Sequence, residues 1–69
     1  MINRLYLKNK IHEITNDKNI ISACKKIEQM YNIPYYVIYN FTRKGLPTED
    51  NFLKIVKSLN LDFTKLFII

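Results

Sequence analysis

Apolar residues recur along this chain at helical spacing. Leu7, Ile11 and Ile14 stand at i, i+4 and i+7, which predicts a first amphipathic helix from about Arg4 to Thr15. Asn16-Asp17-Lys18-Asn19 breaks the pattern with turn-forming side chains. Ile20, Ala23, Cys24, Ile27 and Met30 restart it at i, i+3, i+4, i+7 and i+10, with Lys25, Lys26, Glu28 and Gln29 on the wet side. Asn32 suits a left-handed helix end, and Ile33 reads as a core residue after the turn.

Residues 34–45 admit two readings. As a strand, Tyr35, Val37, Tyr39 and Phe41 would share one face, and these are strand-favouring residue types. As a helix, Pro34 takes the first position, Ile38 and Phe41 face inward, and Gly45 caps the end. A lone strand among helices has nothing to pair with, so a helix is the expectation. Farther on, Thr48 can cap a fourth helix whose first turn holds Glu49 and Asp50, where carboxylates meet the positive end of the backbone dipole. Leu53, Val56 and Leu59 share one face of it, and Lys54 and Lys57 another. Asn60 suits a left-handed stop, and Asp62 can cap a short fifth helix with Phe63, Leu66 and Phe67. The pattern therefore predicts an all-α, compact five-helix domain spanning 1–69. The expected core is Ile14, Ile27, Met30, Ile33, Ile38, Phe41, Leu53, Val56, Leu59, Leu61 and Leu66.

Composition narrows this picture. At 69 residues the chain is one domain near the lower size limit for a self-sufficient core, and its 48% hydrophobic content compensates. One Gly and two Pro disfavour a many-turned β-fold. No apolar run approaches the roughly 20 residues of a membrane span, and no signal peptide is visible, so no membrane partner is expected. The single Cys24 leaves no internal disulfide and suits a reducing, cytoplasmic setting. Net charge is +5, which is compatible with a nucleic-acid partner but is shared by many small lysine-rich chains.

Catalytic chemistry has little to stand on. His12 lies alone beside Glu13 on a predicted helix, and a surface histidine is the plain reading. Cys24 falls in the apolar stripe of the second helix and has no metal-binding companions. Asp17, Glu49 and Asp50 sit where helix caps and first turns favour acids. There is no glycine-rich phosphate loop and no nucleophile motif. No enzyme activity, no cofactor and no metal are expected.

The basic loop Arg43-Lys44-Gly45-Leu46-Pro47, followed by the two capped helices from Thr48 to Phe67, resembles the C-terminal half of the lambda-repressor-like, Cro-type (XRE) helix-turn-helix family. The resemblance extends over most of the chain, from about Leu7, and agrees in helix number and order. It departs in the second helix. The family places a small residue near the middle and a glycine four positions later, whereas here Glu28 precedes Asn32 by four and Ile27 by five. Either this helix is one residue longer or the turn is of another kind.

The resemblance implies that the third helix enters the major groove of double-stranded DNA. By position, base contacts then fall to Tyr35, Tyr36, Tyr39 and Asn40. Asparagine can pair with adenine through two hydrogen bonds, and tyrosine can pack on thymine methyls. Ser22, Arg43, Lys44 and Thr48 become phosphate contacts. The implied protein is a small phage or bacterial transcriptional regulator, a repressor, working as a homodimer on paired half-sites. With no appended effector domain, it is not expected to sense a ligand by itself. Phe63, Phe67, Ile68 and Ile69 form an apolar tail suited to the dimer interface, or to folding back over the first helix. The competing reading is a small helical interaction module, such as an antirepressor or anti-defence factor, whose tyrosine-rich face meets a protein.

Overall fold

The computed structural model describes residues 1–68. Its helices are α1 (Arg4–Thr15), α2 (Ile20–Tyr31), α3 (Tyr35–Arg43), α4 (Glu49–Leu59) and α5 (Phe63–Leu66). Local chemistry explains most of the boundaries. Asn3, Asn19, Thr48 and Asp62 cap the starts of α1, α2, α4 and α5, each accepting a first-turn backbone N–H with its side-chain oxygen. Asn16, Asn32 and Asn60 end α1, α2 and α4 in the left-handed conformation that asparagine tolerates. The strand-favouring run in α3 is helical because Ile38 and Phe41, three apart, both reach full burial on one helical face.

The elements assemble around α1, which packs against each of the other helices, while α2 also packs on α3. Leu7, Ile11, Ile27, Ile33, Ile38, Phe41, Ile55 and Leu66 are fully buried at the centre. Three expected core positions differ. Met30 is 52% exposed and Leu53 47% exposed, and Ile14 is only partly buried. On α2 the half-buried Tyr31 lies closer to the centre of the stripe set by Ala23, Cys24 and Ile27. On α4 the stripe runs through Phe52, Ile55, Val56 and Leu59, which turns Leu53 to its margin. Pro34 occupies the cap position of α3 rather than its first turn. Gly45 does close α3, its N–H donating to the Asn40 carbonyl at 2.9 Å, without a left-handed φ. It lies so close that an added Cβ would stand 3.3 Å from that of Asn40.

The chain ends are joined. Ile2 and Phe67 form an antiparallel bridge, the sole β pairing among the described residues. Asn3 N–H donates to Leu66 O at 2.6 Å and Ile68 N–H to Met1 O at 2.8 Å. The tail thus pairs through its backbone with residues 1–3, ahead of α1. Phe63, Phe67 and Ile68 remain exposed, and Ile69 lies outside the described residues. Among the described residues no helix is long and apolar enough to cross a membrane.

Candidate nucleic-acid interface

Asn32, Ile33 and Pro34 connect α2 to α3. Asn32 takes φ 57° and ψ 43° and donates its N–H to the Glu28 carbonyl. Ile33 then anchors the turn in the core, and Lys54 of α4 donates to the Asn32 carbonyl at 3.0 Å. Proline at the cap of α3 has no side chain that can meet the first free N–H groups. The carboxylate of Glu28 does so instead, accepting from Tyr35 N–H at 3.0 Å across the turn. Glu28 thus works as an acid at the positive end of α3, supplied by the preceding helix. This accounts for an acidic residue where the resemblance leads one to expect a small one.

Helix α3 buries Ile38, Phe41 and Thr42 and turns Tyr36, Asn40 and Arg43 outward. Tyr36 is 58% exposed. Tyr35 and Tyr39 are half-buried, and each ring lies under a cation. Lys25 Nζ stands 5.2 Å from the Tyr35 ring centre, and the Arg43 guanidinium 5.6 Å from that of Tyr39. Arg43 also donates to the Tyr39 hydroxyl at 3.2 Å. Tyr35 and Tyr36 meet edge to face, with ring centres 6.0 Å apart. A concave surface of about 200 Å³ runs from Tyr36 and Asn40 to Thr48 and Asn51 at the start of α4. A second, of about 390 Å³, joins Asn40 to Arg43, Lys44 and Leu46. Six of the eight sequence-derived contact residues (Tyr35, Tyr36, Tyr39, Asn40, Arg43 and Lys44) therefore belong to α3 or its cap, and Thr48 adjoins them.

Ser22 is placed differently. Its hydroxyl donates to Asp17 at 2.5 Å, and the same carboxylate accepts from Asn19 N–H and faces Lys26 at 3.1 Å. Ser22, then Asn19 and Lys26, hold the Asp17 carboxyl well below the usual range, at about 2. The Ser22 hydrogen is thus committed to an anion at this helix start. Thr48 accepts from Asn51 N–H through its hydroxyl oxygen, which leaves its own hydrogen available.

Comparison with known protein families, curated proteins and solved structures finds no match.

Residues without a sequence signal also shape this face. Arg4 of α1 donates through Nη1 to Phe41 O at 2.7 Å and Gly45 O at 3.0 Å, clamping the end of α3. Asn51 and Lys25 join the face from neighbouring helices. The remaining titratable candidates lie elsewhere. His12 Nδ1 is 2.6 Å from the Asp17 carbonyl. Cys24 is buried in α2, and burial pushes its thiol up to about 11. An apolar groove of about 620 Å³ lies beside the joined chain ends, lined by Ile2, Phe52 and Phe67 together with Arg4 and Glu49.

Proposed function

We propose that this chain is a sequence-specific double-stranded-DNA-binding regulator of the Cro type, a repressor that places α3 in the major groove. The observation that carries this reading is the exposed edge of α3. Tyr36 and Asn40 stand open, Arg43 and Lys44 follow at its C-terminal end, and Thr48 and Asn51 adjoin them across one concave surface. Groups that can meet base edges are thus flanked by groups that can meet phosphates, the division of labour that duplex recognition requires. The net charge of +5 supplies the counterion-release contribution to affinity.

The regulator acts as a homodimer, because one small domain covers too few base pairs for strong specificity. Phe63 and Phe67, whose rings stack at 5.9 Å, and Ile68 give it an exposed apolar surface for that purpose. Selection of bound fragments from random duplex DNA tests the reading. A regulator enriches one motif and binds it with log affinity falling steeply against log salt. Absence of any enriched motif, with capture of a protein through the tyrosine face, establishes the interaction-module alternative. The edge-to-face Tyr35–Tyr36 pair is the feature that would serve it.

A further inference from the structure

The tyrosines of α3 are not equivalent. Among the described residues no cation lies over the ring of the solvent-exposed Tyr36, whereas Tyr35 and Tyr39 are half-buried under Lys25 and Arg43. Tyr35 and Tyr39 stand four residues apart on one face of α3, so the two cations border the same side of the helix, one over its first residue and one over its middle. The neighbouring lysine of α2 is already occupied, since Lys26 pairs with Asp17 at 3.1 Å. Lys25 alone of the two is directed onto α3.

We propose that Lys25 and Arg43 are paired phosphate clamps along one side of α3, each held on a tyrosine ring, and that base reading falls to the adjoining exposed Tyr36 and Asn40. Tyr35 and Tyr39 are positioning residues for the cations. Each ring restricts a long, rotamer-rich side chain before the partner arrives, so less freedom is lost when the phosphate is met. The hydroxyl of Tyr39, which accepts from Arg43, adds a second point of attachment for the guanidinium. This assignment rests on the duplex-DNA reading of α3.

The test uses the full chain, a duplex fragment selected from a random pool, and titrations over a range of salt. Lys25→Gln lowers the magnitude of the salt slope by about one unit and weakens all duplexes alike, while Lys25→Arg keeps the wild-type slope. Tyr35→Phe retains the ring and leaves both slope and base preference unchanged. Tyr36→Ala alters base preference at a defined position and leaves the slope unchanged. Thermal melting of each variant separates these effects from loss of fold. A wild-type slope in Lys25→Gln, or altered base preference in Tyr35→Phe, overturns the assignment while DNA binding stands. A wild-type chain with no salt-dependent binding to any duplex overturns the DNA reading and this assignment together.

Discussion

Replacing Arg4 with methionine keeps most of the side-chain stem but removes the clamp on α3. Arg4 Nη1 donates to the carbonyls of Phe41 and Gly45, 37 and 41 residues away in sequence. Hydrogen bonds from a charged donor contribute roughly 1.5–3 kcal/mol each when well shielded. Arg4 and Gly45 are only partly buried, so the lower end of that range applies and solvent offsets part of the loss. The expected loss is about 2 kcal/mol, a large share of the roughly 5–15 kcal/mol available to a small domain. In a chain of this size that lowers the melting temperature by about 8–16 °C. Urea unfolding checks it, with the midpoint falling at constant slope. Arg4→Lys keeps the charge but not the planar fork, and recovers about half of the loss. Faster amide exchange at Lys44 and Gly45, whose N–H groups donate to Asn40 O, is the local signature. A loss below about 0.5 kcal/mol in Arg4→Met refutes the clamp, because it means that solvent satisfies both carbonyls equally well.

Other outcomes follow from the same geometry. Glu28→Ala strands Tyr35 N–H and costs about 1 kcal/mol, as loss of a helix cap does; unchanged denaturant unfolding refutes this. The Asp17 carboxyl is held low in the folded chain, so its stabilisation is fully present above the unfolded value near 3.9 and is lost as pH falls toward about 2. Melting of wild type and Asp17→Asn should converge across that window, and a gap that persists in acid argues against the Ser22–Asp17–Lys26 cluster. Asn40→Ala should cost about 1–3 kcal/mol on the selected duplex and relax one base position, whereas Arg43→Ala weakens all duplexes; identical effects on every sequence would remove Asn40 from base reading. Cys24 should react with a thiol reagent only as fast as the domain opens, and rapid labelling of the native chain contradicts its buried, protonated state.

Helix order, and most of the helix ends, were legible because they depend on neighbours in sequence. Asn32 and Asn60 adopt the left-handed ends that their residue type favours, and Thr48 and Asp62 cap as their positions suggest. The helical state of residues 35–43 was legible only indirectly, since residue preference alone favours a strand and the inward spacing of Ile38 and Phe41 prevails. Met30 and Leu53 fit a helical repeat yet lie outside the buried stripe, because a repeat gives spacing without fixing which edge of the stripe meets the core. The roles of Arg4, Lys25 and Glu28 were not legible. Each reaches another helix, and periodicity carries no information about where a long side chain lands after folding.

The pairing of the chain ends has a kinetic consequence. Met1 and Ile68 are 67 residues apart in sequence, so bringing them together closes almost the whole chain into a loop. The docking of α5 on α1, with Leu66 in the core, already closes that loop, so the β bridge and its few backbone hydrogen bonds add only a small increment. Pairing therefore follows helix docking during folding and is the first element to release in the native state. Its amides exchange with solvent well before those of Ile27 or Ile38, and each release frees Ile2 and Phe67, which line the apolar groove, from one another. One side of that groove is thus held by the least stable pairing in the chain, while the α3 face is anchored in the core by Ile33, Ile38 and Phe41.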